Sequence, residues 1–226
     1  MPEVKAAFSL AMEAIEYLVA RPSNSSDVAH LLAEVFSESE PPAVAMGLSF
    51  DEMKQFLELL VPEVIEQGLT VIARSADSGR LAGVMLSDDF ALPPTLNPGQ
   101  ISAKLLPILT MLEVLDEQFR RGKDISTGQF VHFFMLGVDN QFAGRGVGQG
   151  LVQACVEHGS RKGYQAALTE ATGRVSQHIF RKNGFVDRFR VSYREYLYED
   201  KAVFASISGH DAAILMERPL AQAKLQ

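Results

Sequence analysis

The chain has 226 residues, 47% of them hydrophobic and 22% charged, which suffices for a real core in one large domain or two small ones. A net charge of −7 argues against a nucleic-acid partner, and the single cysteine, Cys155, excludes an internal disulfide framework and a cysteine-cluster metal site. No apolar stretch reaches transmembrane length and no basic-then-apolar leader opens the chain, so a membrane partner is not expected and the cytoplasm is the expected compartment.

Residues 1–12 read as a short extension, with a helical turn or two. Residues 14–20 alternate Ile15, Tyr17 and Val19 against Glu16 and Leu18, a strand pattern. Ser25, Ser26 or Asp27 then offers a cap for a helix over 27–36, carried by Val28, Leu31, Leu32 and Val35. Pro41 and Pro42 end that segment. A second helix, 51–67, has Ser49 as cap and Glu52 as capping-box partner, and Pro62 should kink or split it. Strands over 69–74 and 81–86 flank a turn at Asp77-Ser78-Gly79. Asp88, Asp89 and 93–99 read as surface loop, and 101–121 as a long amphipathic helix.

The most informative stretch follows, 131–151, VHFFMLGVDNQFAGRGVGQGL. Residues 131–138 read as a buried strand, and Val147, Leu151, Ala154 and Cys155 fall at helical spacing, with Cys155 on the core stripe. Between them stand Gly144, Gly146, Gly148 and Gly150. A helix start preceded by glycines presents unpaired N–H groups to an anion, worth ~0.3–1 kcal/mol from the dipole alone. A P-loop is excluded, because Gly148-Gln149-Gly150 lacks the terminal Lys-Ser or Lys-Thr. A dinucleotide fingerprint would need its third glycine at Gln149 or Leu151, although Glu170 lies about where a ribose-binding acid belongs. A coenzyme A pyrophosphate loop and a tight turn without ligand also remain open.

Gly163 should cap the helix after this loop, and 166–170 is a further strand. Residues 176–183 form a short helix stopped by Gly184, strands over 186–193 and 212–217 follow, and 194–211 is a polar, hairpin-like excursion. No linker or repeat divides the chain, so one domain over 13–220 with a tail at 221–226 is expected: α/β, a single mixed sheet of about seven strands and about four helices.

Ala143-Gly144-Arg145-Gly146-Val147-Gly148 resembles the Arg/Gln-x-x-Gly-x-Gly/Ala loop of the GNAT superfamily of N-acetyltransferases, with Ala143 in place of the Arg or Gln. The order of elements is that of the GNAT fold. Residues 36–41, 138–151 and 169–185 (TEATGRVSQHIFRKNGF for the last) are similar to arylalkylamine N-acetyltransferase-like proteins of insects and their bacterial relatives, as are Val191-Ser192-Tyr193, Tyr196 and Gly209-His210. The resemblance covers most of 14–219, weakly between 43 and 99.

The resemblance implies transfer of an acetyl group from acetyl-CoA to a primary amine, a small arylalkylamine by branch, in a ternary complex without a metal. It also implies that coenzyme A is held along Leu136, Gly137 and Val138, by Gly144, Arg145, Gly146, Val147, Gly148, Gln149 and Gly150, and beside Ser176 and Phe180. Glu40, followed by Pro41, matches the branch's general base. Thr172 and Ser176 match its two hydroxyls near the thiol, with Thr for Ser at the first; a helix cap at Ser176 and a turn at Thr172 are the competing roles. Phe180 stands where many superfamily members carry a Tyr acid, so that route is missing. His210 would line the acceptor pocket. His132 and His178 are unassigned. Two other functions stay open, a non-catalytic acyl-CoA-binding module, which Ala143 and Phe180 favour, and a protein or peptide N-acetyltransferase. The chain is expected to act as a monomer or homodimer.

Overall fold

In the computed structural model, residues 13–95 and 97–221 are described; the expected N-terminal extension and all but the first residue of the tail lie outside them. Seven strands form one mixed sheet in the order β1-β2-β3-β4-β5-β7-β6. They are β1 (Ile15–Val19), β2 (Val71–Ser75), β3 (Leu81–Asp89), β4 (Phe130–Val138), β5 (Ala166–Ala171), β6 (Val186–Ser192) and β7 (Ala212–Pro219). All neighbours are antiparallel except β4 and β5.

Six α-helices cover the sheet, where about four were expected: α1 (Ser25–Ser39), α2 (Pro41–Ala45), α3 (Phe50–Glu66), α4 (Leu106–Arg120), α5 (Val147–Arg161) and α6 (Arg174–Lys182). One core, built from Leu32, Leu57, Met111 and Leu115, lies between the sheet and α1–α4. A second, with Leu151, Val152, Cys155 and Phe180, lies under α5 and α6. The two cores are the reason the central strands are apolar on both faces.

Several boundaries differ from the sequence reading. The first helix starts at Ser25, after a 3-10 turn at Pro22–Asn24, and continues to Ser39. Pro41 does not merely stop it; Pro41 occupies the first turn of α2, where a missing N–H costs nothing. The capping box of α3 forms as expected: Ser49 N–H donates to Glu52 Oε2 at 2.9 Å, and Glu52 N–H donates to Ser49 Oγ at 3.2 Å. Pro62 does not split α3, which is one helix to Glu66. The long helix begins only at Leu106, because Pro107 belongs in a first turn; a 3-10 turn at Ala103–Leu105 precedes it. Asp88 and Asp89 are not loop residues. They end β3 and are buried, at 1% and 2% exposure.

β4 and β5 pair only through Phe130–His132 and Ala166–Leu168. Beyond that point the strands part, and side chains take over the seam. Thr169 Oγ1 donates to Phe133 O at 2.8 Å, and His132 Nε2 lies 2.6 Å from Glu170 Oε2.

Candidate active site

The parting of β4 and β5 opens a cavity of about 340 Å³. Its walls come from β4, β5, the end of α1, the start of α6 and α4, and they are mostly apolar: Phe36, Met53, Phe56, Leu109, Leu112 and Phe134. Glu40, Thr172, Ser176 and His210 bring polar atoms to it, so all the expected reacting side chains converge on one space.

Glu40 sits between two helices. It ends α1 and caps α2, with extended backbone at φ −76° and ψ 122°. Pro41 enforces that conformation, because a helical residue before proline would clash with its ring. The Ala43 N–H donates to Glu40 Oε2 at 2.6 Å, and the Thr172 side chain lies near enough to the same carboxylate to favour its charged form. Burial pushes the Glu40 carboxyl up to about 7, against the pull of Thr172 and the Ala43 N–H. A carboxyl that titrates near neutrality is suited to taking a proton from an ammonium and giving it up again.

Thr172 does more than turn the chain. Its side chain meets Glu40, and its carbonyl accepts from the Tyr193 hydroxyl at 2.6 Å. Tyr193 is buried, and burial, then the charge of Glu40, holds its hydroxyl well above the ordinary range. Tyr193 therefore supports Thr172 and stays protonated. Only its place in a matching stretch, Val191-Ser192-Tyr193, marked it in the sequence.

Ser176 is not the cap of the short helix, which starts at Arg174 with Gly173 in the cap position. Ser176 is one turn in. Its Oγ donates to Gly173 O at 2.9 Å and accepts from Gly173 N–H at 3.3 Å. His210 Nδ1 accepts from Arg174 N–H at 3.1 Å, an arrangement that puts a neutral imidazole's proton on Nε2. Phe180 packs edge-on against Phe185 at 5.0 Å, filling its place with carbon where a hydroxyl would serve as acid.

Along β4, Asp139 N–H donates to Ala82 O, so by alternation the N–H groups of Leu136 and Val138 point into the open gap. Gly137 differs from the expectation. Its backbone faces β3, and it is glycine because a Cβ would stand 2.8 Å from Leu32 Cδ2 of α1.

The four loop glycines separate into two kinds. Gly144 and Gly146 have φ of +74° and +80°, and nothing lies within 4 Å of where a Cβ would be. Gly146 is the cap of α5, with no side chain over the helix end. Gly148 and Gly150 are instead packing positions. A Cβ at Gly148 would meet Ile179 Cδ1 at 3.2 Å, and at Gly150 it would collide with the Tyr17 ring. Gly150 N–H donates to Gly146 O at 3.0 Å and Arg145 N–H to Phe142 O at 3.4 Å, so neither is available to an anion. The N–H groups of Val147, Gly148 and Gln149 take no partner from the described residues. The Arg145 side chain, 48% exposed, adds a cation at the same end, 3.8 Å from Glu13.

The sequence reading missed one assembly. His132 Nδ1 lies 2.9 Å from Asp88 Oδ1 and its Nε2 2.6 Å from Glu170 Oε2, all buried. Glu170 is thereby excluded as a ribose-binding acid; it faces the α1–α4 side, away from the glycine loop. Only the order of the fold brings residues 88, 132 and 170 together.

The model of the acetyltransferase (GNAT) family matches residues 54–185. Among solved structures, arylalkylamine N-acetyltransferase 2 from Aedes aegypti superposes with a TM-score of 0.77, 22% identity, and coverage of 92% of this chain and 99% of that one. The C-terminal condensation domain of Ebony, solved with beta-alanyl-dopamine, gives a TM-score of 0.85 at 17% identity, covering 92% and 100%. The Drosophila melanogaster polyamine N-acetyltransferase gives 0.71 at 18% identity, covering 92% and 100%. Among the described residues, no helix is long and apolar enough to cross a membrane.

Proposed function

The chain belongs to the acetyltransferase (GNAT) family, and from that premise we propose that it acetylates a small primary amine, of arylalkylamine type, with acetyl-CoA as donor. The observation that carries the reading is Glu40, a carboxyl raised to about 7 in the wall of a mostly apolar cavity. The amine enters as its ammonium, and Glu40 takes a proton to free the lone pair. The amine attacks the thioester carbon, and an N–H of the parted strand, Leu136 or Val138, meets the oxygen that gains charge. Collapse of the tetrahedral species expels the thiolate, which takes the second amine proton, so each turnover releases one proton in all. Ser176 and Thr172 stand beside this path, and His210 lines the acceptor side. The free N–H groups of Val147, Gly148 and Gln149 suit the pyrophosphate, with Gly144 and Gly146 leaving room for it.

A cavity of about 340 Å³ with mostly apolar walls suits a small acceptor carrying an apolar group. The test is free thiol released from acetyl-CoA with phenethylamine, tyramine, agmatine and a short peptide. Turnover should be fastest with the arylalkylamines. Binding of acetyl-CoA without thiol release from any amine would turn the assignment to a non-catalytic binding module.

A further inference from the structure

The Asp88–His132–Glu170 chain is not used by the steps above, yet Glu170 lies in the wall of the acceptor cavity. A fourth group joins it from α4. Asp116 Oδ1 and Glu170 Oε1 are both buried, no described residue offers either a donor, and each carboxyl shifts the titration of the other. Two ionised carboxylates cannot bond to each other. One proton between them satisfies both oxygens at once. Burial and then the charge of Glu170 push the Asp116 carboxyl up to about 9, so Asp116 is the holder at neutral pH. Burial would lower His132, and Glu170 and Asp88 reverse that. Geometry agrees, since only an imidazolium has an N–H for a carboxylate on each side.

We propose that Asp88, His132, Glu170 and Asp116 form a buried charge-setting unit, in which Asp116 and Glu170 share one proton and the remaining single negative charge beneath the cavity draws the acceptor in as its ammonium. Asp88 and Glu170 are negative, His132 is positive and Asp116 is neutral, which leaves one negative charge. Asp88 is 1% exposed, so the chain has no solvent exit at that end and is a fixed charge rather than a proton path. Arg120, the other charge near the pair, donates to the Phe90 carbonyl and lies over its ring at 3.9 Å, so it does not bond Asp116. Asp89 faces the opposite side of the sheet, bonded to the Tyr164 hydroxyl at 3.0 Å. Glu170 is thus a positioning residue for the acceptor, and Glu40 remains the base.

The inference rests on the amine-acetylating reading, and its test separates the two. At pH 7.5, Glu170→Gln takes the carboxylate out of the cavity wall and should raise KM for phenethylamine by about tenfold, the scale of one charge acting over roughly 10 Å of protein, with kcat changed far less. Asp116→Asn removes no charge and its amide still donates to Glu170, so both constants should stay within about threefold of wild type. In the infrared, wild type should show a protonated-carboxyl stretch that Asp116→Asn lacks. A merely structural role would lower the melting temperature and leave the phenethylamine KM of folded Glu170→Gln unmoved, and that result overturns the proposal. So does an infrared band that persists in Asp116→Asn, a measurement that stands even if Glu170→Gln does not fold. Failure of wild type to acetylate phenethylamine would instead overturn the reading of function, with the infrared result still deciding the shared proton.

Discussion

The two faces of the sheet meet at one seam and treat charge in opposite ways. Under α5 the structure offers backbone: N–H groups of Val147, Gly148 and Gln149, with glycines to keep the space clear. Under α1–α4 it offers side chains: Glu40 and Glu170 in the cavity wall, with Asp116 and His132 beside Glu170. The first arrangement suits a ligand that arrives already anionic and stays so. The second suits a ligand whose charge must change during the reaction. Backbone dipoles cannot titrate, whereas buried carboxyls can be tuned to do so.

The sharpest way to break that contrast is Glu40→Gln. It should cut the rate by ~10²–10⁴, the usual range for losing a general base, with acetyl-CoA affinity unchanged. The loss should shrink at high pH, where more amine is already free base. Glu38→Gln, on an exposed carboxylate, is the control and should be nearly silent; wild-type rates for Glu40→Gln across the pH range would remove the base assignment.

On the other face, Gly146→Val and Gly148→Val should separate binding from packing. Gly146→Val puts a side chain into open space at the helix end and should cost acetyl-CoA ~10²–10⁴ in affinity by calorimetry, as for two charge-assisted hydrogen bonds. Its own strain at positive φ is ~1–3 kcal/mol. Gly148→Val drives into Ile179 and Val138, so its main effect is ~1–3 kcal/mol of lost stability, although the resemblance gives both glycines to coenzyme A. Wild-type acetyl-CoA affinity in a folded Gly146→Val variant would dissolve the distinction.

A smaller effect is expected at Ser176, whose hydroxyl is bonded to Gly173 on both sides. Ser176→Ala should lower stability by ~0.5–2 kcal/mol, and any role toward the thiol appears as a further fall in kcat at saturating substrates. An unchanged melting temperature would show that the hydroxyl is not holding the helix start.

A pH-dependent change ties Glu40 to stability. Its folded pKa, about 7, is above the ordinary carboxyl value, so the folded state holds a proton that the unfolded state has released. Wild-type stability therefore falls as pH rises from 4.5 to about 7 on account of this group. Glu40→Gln should melt higher than wild type above pH 7, with the difference vanishing below pH 4.5. A melting difference that does not depend on pH would contradict the raised value.

The same contrast decides what the sequence could show. The glycine loop was legible because its requirements are local: a strand, positive φ at Gly144 and Gly146, and a helix start within one short stretch. Glu40 was legible for a like reason, since Pro41 imposes its conformation from the next position. The succession of strands and helices along the chain and the core stripe through Cys155 came from periodicity, and the capping box at Ser49 from its spacing to Glu52. The buried charge unit was not legible. Its members stand at 88, 116, 132 and 170, and each has an ordinary local reading. Asp88 resembled a loop residue because a paired aspartate ends a strand pattern, and only the partner across the sheet makes its burial affordable. Periodicity also treats all glycines alike, so it could not separate those that clear a space from those that let α5 and α6 pack.

The seam itself has a mechanical meaning. β1–β4 and β5–β7 are two half-sheets whose backbone ladder joins them over Phe130–His132 and Ala166–Leu168. Past that point they are stitched by Thr169 to Phe133 O and by His132 to Glu170. Backbone bonding across the sheet is therefore thinnest beside the proposed site, the line along which a hinge would run, and the amides flanking the seam should exchange with deuterium ahead of those in the β3–β4 and β5–β7 ladders. A donor lying in the gap would act as a splint across the hinge, slowing exchange on both half-sheets together even at amides it never touches.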